Sequence, residues 1–181
     1  WFSSPLTPKK DPPPHKSNSK VKKAPLSMSK SKENDLVIFD TSALIQIHTQ
    51  ETFSPLALSV YRTAKYIGIC NLVIPEVAGA TGAMVRNKSI NKTERKAIQS
   101  FLLQNVENWL VLPVSKTVCQ KAFDLCQTHL LKGADAIHLA AALAMNIFRP
   151  LRFFTLDKSL YTAAKKEKLA VVSILEFEHG R

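Results

Sequence analysis

The chain has 181 residues, of which 45% are hydrophobic, and it carries a formal net charge of +11. This length suits one domain, or one domain with a tail, and it supplies enough apolar material for a sizeable core. No apolar run approaches the roughly 18 residues of a membrane-spanning helix, so a helical membrane span is excluded and a cytoplasmic protein is expected.

Residues 1–34 are expected to form a disordered, basic tail. The segment is rich in Pro, Lys and Ser and has almost nothing to bury. Its eight Lys stand against Asp11 and Glu33, which gives +6, while residues 35–181 contain 17 Lys and Arg against 12 acids, which gives +5. A moderately basic domain suits a polyanionic partner, although charge alone does not identify one.

From Leu36 onward, short apolar runs alternate with longer segments of helical periodicity. The runs that predict strands are 36–39, 71–74, 110–114, 151–156 and 170–174. Between them, Ile98, Phe101 and Leu102 show the apolar spacing of one helix face. Strands that alternate with helices imply a mostly parallel sheet covered on both faces. The prediction is a three-layer α/β/α domain over residues 35–178.

Four acids stand where predicted strands end or helices begin. Asp40 ends the first strand, Glu76 follows "NLVIP", and Asp157 follows "LRFFTL". Asp135 stands at the start of an Ala-rich helix predicted over 136–147. Taken singly, each is most simply interpreted as a helix cap or first-turn acid, which the helix dipole favours by about 0.3–1 kcal/mol.

Taken together, the four acids predict a metal site. Functional side chains of an open parallel sheet gather at the carboxyl edge of its strands, which would bring several carboxylates within a few ångströms of one another. Unpaired carboxylates would repel, and the pKa of at least one would rise. Oxygen-only ligands suit Mg²⁺ or Mn²⁺, and on a basic domain such a site suits the attack of water on a phosphodiester.

The segments "VIFDTSALI", "VIPEV", "ADAIHLAAAL" and "FFTLDKSL" resemble, in order and spacing, the four acidic motifs of PIN-domain ribonucleases. The similarity is greatest to the toxins of VapBC-type toxin–antitoxin pairs, and it spans Leu36 to about Ser173. It implies a PIN-like fold and endonucleolytic cleavage of RNA by water at a carboxylate cluster that holds Mg²⁺ or Mn²⁺. It also implies a cognate antitoxin and a homodimer as partners.

The resemblance assigns roles to the four acids. Asp40 and Asp135 match the most consistent metal ligands of the family. Glu76 matches the helix-start glutamate, and Asp157 matches the fourth acid, which is the most variable in identity and role. The chain departs from the pattern near Cys70, where the family commonly has a Ser or Thr, and we expect that position to be peripheral.

Hydroxyl residues and one histidine are expected to support the acids. Thr41 or Ser42, together with Thr155, match family positions that support the acids or contact phosphate. His138 lies three residues after Asp135 and hence on the same helical face, where it could orient a carboxylate or approach RNA. The plainer interpretation is a half-buried His that is hydrogen-bonded to a neighbouring acid.

Two further surfaces are candidates for binding. Basic residues cluster at Arg86–Lys88 and Lys92–Lys96, where they either bind the RNA backbone in a salt-dependent way or form a solvated surface. The second surface contains more apolar residues than one helix face usually buries, namely Phe53, Leu56, Leu58 and Tyr61. The resemblance implies that this region helps to form the groove for the C-terminal segment of the antitoxin.

Two other functions stay open at this point. A haloacid-dehalogenase-like phosphatase also has an Asp after its first strand, but its chemistry needs a second Asp two residues later, where this chain has Ser42. A non-catalytic PIN domain that only binds RNA would not need the complete set of acids that is present here.

Overall fold

The structure, a computed structural model, describes residues 35–174. The predicted tail, 1–34, and the end of the predicted domain, 175–178, lie outside the described residues. Among the helices of residues 35–174, none has both the length and the apolar character that a membrane crossing requires.

The described residues form four strands and seven α-helices. The strands are β1 (Leu36–Phe39), β2 (Tyr66–Cys70), β3 (Leu110–Leu112) and β4 (Arg152–Phe154). The helices are α1 (Thr41–Gln46), α2 (Ser54–Thr63), α3 (Val73–Arg86), α4 (Lys92–Asn105), α5 (Lys116–His129), α6 (Gly133–Asn146) and α7 (Lys158–Lys166). A short 3₁₀ helix, Val106–Asn108, connects α4 to β3.

The four strands are parallel, and their order across the sheet is β3-β2-β1-β4. β1 lies between β2 and β4 and is buried along its whole length. Asp40, the next residue, therefore leaves the sheet near the middle of its carboxyl edge. The predicted parallel sheet is confirmed.

Alternate residues of β1 pack against different helical layers. Val37 and Phe39 belong to a core cluster that also contains residues of α1, α2, α3 and α4. Leu36 and Ile38 belong to a second cluster, on the other face of the sheet, with residues of α5, α6 and α7. This alternation follows from the two-residue period of a strand. Helices on both faces confirm the three-layer architecture.

The second predicted strand is wrong. Residues 71–74 do not lie in the sheet, because β2 is Tyr66–Cys70 and α3 begins at Val73. The segment "YIGICNLVIP" contains two apolar runs, and the local pattern does not tell which of them is the strand. Pairing with β1, which places Tyr66 opposite Leu36, selects the first run.

The last predicted strand is also wrong. Residues 170–174 form no regular strand and contribute an isolated parallel bridge between Val171 and Phe153. The segments 110–114 and 151–156 do contain β3 and β4, with narrower bounds than predicted.

Gly68 lies in β2 between Ile38 of β1 and Leu110 of β3. A Cβ atom at this position would lie 2.4 Å from Cδ1 of Ile38 and 3.1 Å from the main-chain oxygen of Leu110. We expect Gly68→Ala to lower the free energy of unfolding by about 1–3 kcal/mol, because the added methyl group displaces buried neighbours. Urea unfolding measures this change.

The control for this prediction is Gly79→Ala in α3. A Cβ atom on Gly79 would meet no atom within 4 Å, and Ala favours a helix interior over Gly by about 1 kcal/mol. The control should therefore unfold at the same or a higher urea concentration. An unchanged stability of Gly68→Ala would contradict the close approach.

Candidate active site

Asp40 joins β1 to α1 and is the N-cap of that helix. Its Oδ1 accepts a hydrogen bond from the backbone N–H of Ala43 at 2.8 Å. The hydroxyls of Ser42 and Thr155 donate to the same carboxylate at 2.8 and 2.6 Å. Burial raises the pKa of Asp40, which is only 4% exposed, and these hydrogen bonds offset the rise only in part.

Two hydroxyls tie the segment after β4 to Asp40. Thr155 donates to Oδ2 of Asp40, and its Oγ1 accepts from the backbone N–H of Asp157 at 3.1 Å. Ser42 donates to Asp40 and accepts from the backbone N–H of Leu156 at 3.1 Å. Asp157 is also the N-cap of α7. The ends of β1 and β4 therefore bring Asp40 and Asp157 to the same part of the sheet edge.

Glu76 lies in the first turn of α3 and is held from two sides. The hydroxyl of Thr41 donates to Oε2 of Glu76, and Nε2 of His138 lies 2.7 Å from the same oxygen. Burial raises the pKa of Glu76, but the hydrogen bonds with His138 and Thr41 and the charge of His138 outweigh burial and lower it below its ordinary value. Glu76 is therefore an ionised carboxylate at neutral pH.

His138, from α6, is a buried cation of the site. The side chain is 4% exposed and interacts with Cys70 as well as Glu76. Burial lowers the pKa of His138, but hydrogen bonds with Cys70 and Glu76, and the charges of Glu76 and Asp40, raise it to about 10. At neutral pH the ring is therefore an imidazolium close to two carboxylates.

Asp135, in the first turn of α6, is half-buried. Burial raises the pKa of Asp135 most, the charge of Asp157 raises it further, and Glu76 adds a smaller rise. The charges of His138 and Lys132 lower it, and no hydrogen bond from another described residue stabilises the ionised form. Asp135 is thus a half-buried carboxylate whose pKa is raised mainly by burial, while two carboxylates and two cations act on it in opposite directions.

The four predicted acids lie at one edge of the sheet, but not in one closed cluster. The charges of Asp157 and Glu76 raise the pKa of Asp135, and the charges of Glu76 and Asp40 raise the pKa of His138. Nevertheless, residues 35–174 contain no group of three or more Asp, Glu, His or Cys side chains that could hold a metal ion as they stand. The carboxylate oxygens of Asp40 and Glu76 are engaged by hydroxyl and imidazole groups instead.

Two properties of these residues fit a hard divalent cation. The carboxylate of Asp135 has no hydrogen-bond donor among the described residues, and the pKa values of Asp40 and Asp135 are both raised. A cation would remove the energetic penalty that both raised values express. The donor set is oxygen-rich, which suits Mg²⁺ or Mn²⁺, and the cation would draw Asp40 away from part of its hydrogen bonding.

Cys70 is a residue of this site that the sequence interpretation treated as peripheral. It is the last residue of β2, is fully buried, and interacts with His138 closely enough to raise the pKa of the imidazole. The signal for it is its position at the carboxyl end of a buried strand. That signal is hidden when the second strand is placed at 71–74 instead of at Tyr66–Cys70.

The family model of the PIN domain matches residues 37–166, which is most of the chain. The chain belongs to the PIN domain family. It is 34% identical over 110 residues to Ribonuclease VapC45 and to Ribonuclease VapC49, both from Mycobacterium tuberculosis. Each alignment covers 61% of this chain and 76% of the relative.

Solved structures share the fold. One of them is VapC20 from Mycobacterium tuberculosis, a toxin that cleaves the sarcin–ricin loop. It is 15% identical to this chain with a TM-score of 0.54, and the superposition covers 70% of this chain and 94% of VapC20. A toxin–antitoxin complex from Klebsiella pneumoniae contains a chain that is 18% identical with a TM-score of 0.53, covering 76% of this chain and 96% of the other. At these identities, the likeness establishes the fold alone.

Proposed function

We propose that the protein is a metal-dependent endoribonuclease and the toxin of a type II toxin–antitoxin pair. The observation that carries the proposal is the presence of Asp40, Glu76, Asp135 and Asp157 at one carboxyl edge of the parallel sheet, with Asp40 and Asp135 both less acidic than usual. Membership of the PIN family, and relatives that are named ribonucleases, support the same activity.

Mg²⁺ or Mn²⁺ is the proposed cofactor. Asp40 and Asp135 would hold the ion, and Glu76 and Asp157 would complete its surroundings. Such an ion supplies activation of a water molecule and neutralisation of charge on the phosphate oxygens.

The neighbouring side chains position the carboxylates. Ser42 and Thr155 orient the carboxylate of Asp40, and Thr41 orients that of Glu76. His138 balances the negative charge of Glu76 and Asp40 from inside the domain. Mutation of a side chain that orients a metal ligand in this way typically lowers activity 10–100-fold.

RNA and an antitoxin protein are the proposed partners. Residues 35–174 contain 16 Lys and Arg against 10 Asp and Glu, a surplus that suits a polyanion. Of the apolar residues around α2, Leu56 and Tyr61 lie in the core, so Phe53 and Leu58, which are partly buried, are the ones available to an antitoxin segment. Both partners would be met in the cytoplasm, which is the proposed location.

A homodimer is the proposed assembly. Ile147 and Phe148, directly after α6, are 82% and 79% exposed. Large apolar side chains that stay adjacent and exposed commonly mark an interaction site. A second copy of the chain would cover them.

The test is cleavage of mixed RNA by the purified chain, first in EDTA and then with added Mg²⁺ or Mn²⁺. We expect RNA to stay intact in EDTA and to be cut into shorter fragments once either ion is added. Release of phosphate from a monoester, with RNA left intact, would favour the phosphatase. RNA that is bound but never cut would favour the non-catalytic PIN domain.

A further inference from the structure

Two arginine side chains converge where α3 meets α4. Arg86 comes from the last turn of α3, and Arg95 comes from the beginning of α4. A Cβ atom placed on Gly82 would lie 3.6 Å from Nη1 of Arg86 and 3.8 Å from Nη2 of Arg95. Both nitrogens therefore lie within 4 Å of one point. Two like charges are close neighbours there, next to Gly82, which has no side chain.

Neither guanidinium is neutralised within residues 35–174. The ion pairs of these residues involve neither Arg86 nor Arg95, and Nε of Arg95 is buried without a hydrogen-bond partner. Glu94, adjacent in sequence to Arg95, is occupied in the capping box of α4, where it accepts from the backbone N–H of Asn91 at 2.7 Å. The two guanidinium groups are thus free to bind an external anion.

The arginine pair is connected to the candidate active site by α3 itself. Glu76 lies in the first turn of this helix, and Gly82 is six positions further along it, which corresponds to about 9 Å of helix. Between them Gly79 is exposed, and a Cβ atom there would meet nothing within 4 Å. A flexible chain could therefore lie along α3 without meeting a large side chain at Gly79.

We propose that Arg86 and Arg95 form a phosphate clamp that holds the RNA substrate at a distance from the bond that is cut. This proposal rests on the proposed ribonuclease function. Guanidinium forks match phosphate oxygens in a bidentate way. Lys88, Lys92 and Lys96 add to the pair, so residues 86–96 contain five cations against one acid. That density suits a repeating polyanion better than a single carboxylate.

The test measures binding of a labelled single-stranded RNA to the full chain in EDTA, at several salt concentrations. For the double variant Arg86→Gln/Arg95→Gln we expect an affinity about tenfold lower at low salt. The slope of log affinity against log salt should become shallower by about 0.7, because the pair holds one phosphate and each phosphate neutralised on a single strand contributes about 0.7. With metal present, cleavage should show a raised KM and a nearly unchanged kcat.

Two further variants isolate the cause. Arg62→Gln/Lys116→Gln removes the same charge from exposed positions on α2 and α5, and its affinity and slope should stay close to those of the wild type. Arg86→Lys/Arg95→Lys keeps the charge but loses the fork, so the slope should recover while the affinity recovers only in part.

Thermal melting first verifies that each variant is folded, and the single variants Arg86→Gln and Arg95→Gln replace the double variant if the latter unfolds. An affinity and slope equal to those of the wild type in a folded Gln variant, with RNA still cleaved, would overturn the clamp alone. Binding of polyglutamate, a model for an acidic protein, is measured in the same way. If the Gln variant loses binding to polyglutamate but binds RNA as the wild type does, the clamp is overturned in favour of a protein partner. A wild-type chain that neither binds nor cuts RNA would overturn the clamp and the proposed function together.

Discussion

The Asp135→Asn variant is expected to cut RNA more than about a hundredfold more slowly than the wild type. Asn keeps the shape of the side chain but lacks the negative charge with which Asp135 would hold the cation. Partners that merely orient a ligand are worth 10–100-fold, so loss of a ligand itself should cost at least the upper part of that range. Initial rates of RNA cleavage at saturating Mn²⁺ measure the effect.

The matched control is Asp124→Asn, which removes the same charge from an exposed position on α5. Its cleavage rate should equal that of the wild type. Equal rates for Asp135→Asn and the wild type would refute the assignment of Asp135 as a ligand, even if RNA is cut in a metal-dependent way.

The thermal stability of Asp135→Asn should stay the same or rise, although its cleavage rate falls. The pKa of Asp135 is raised in the folded domain, so the protonated carboxyl stabilises the fold relative to the ionised one. This stabilisation is lost as the pH rises through the pKa of the folded state. In EDTA at neutral pH, the variant should therefore melt at the same or a higher temperature. Below the ordinary value of 3.8 the advantage should vanish, because the wild-type side chain is then protonated as well.

The His138→Gln variant is expected to lose about 3 kcal/mol of unfolding free energy. The change removes a buried cation and leaves the carboxylates of Glu76 and Asp40 without their counter-charge. RNA cleavage should fall about 10–100-fold, because Glu76 loses one of the two contacts that orient it. Urea unfolding in EDTA and initial cleavage rates measure the two effects separately.

The stability loss in His138→Gln should depend on pH. The pKa of Glu76 is lowered, so its contribution to stability is present above 4.5 and is lost as the pH falls through the folded value. The pKa of His138 is raised to about 10, so its contribution is complete below 6.5 and is lost as the pH rises towards 10. The difference in unfolding free energy between variant and wild type should therefore be largest between pH 4.5 and pH 6.5.

His129→Gln is the control, since His129 also forms a pair with a glutamate, in this case a partly buried one, in which Nε2 lies 2.8 Å from Glu167. This variant should lose stability without losing the cleavage rate per folded molecule. If both His variants slow cleavage equally, His138 has no special role in positioning Glu76. A stability difference that is independent of pH would argue against the buried charge.

Local patterns predicted those parts of the site that depend on local structure. The run "LVIF" before Asp40 is apolar and β-branched enough to predict β1, and the capping roles of Asp40 and Asp157 follow from their positions before helices. The first-turn position of Glu76 is equally local, because Pro75 is tolerated only near a helix start. The carboxyl edge of a parallel sheet then gathers these acids.

The features that could not be predicted depend on pairing between distant segments. The choice of Tyr66–Cys70 as β2 depends on its register with β1. A hydrogen bond from His138 to an acid was predicted, but the identity of that acid was not, because Glu76 is 62 residues away in sequence and the contact depends on how α6 packs over the sheet. No periodicity within one segment carries this information, which is also why the contact between Cys70 and His138 was missed.

The hydrogen bond from Thr155 to Asp40 joins residues 115 apart in sequence. Such a distant contact forms only after nearly the whole domain has been synthesised, because β4 must first dock beside β1. A nascent chain on the ribosome therefore carries Asp40 long before it carries the hydroxyl that orients this carboxylate. A product truncated before Arg152 should lack β4, Thr155 and Asp157, so the full set of side chains around Asp40 would be assembled only in chains that extend beyond Asp157.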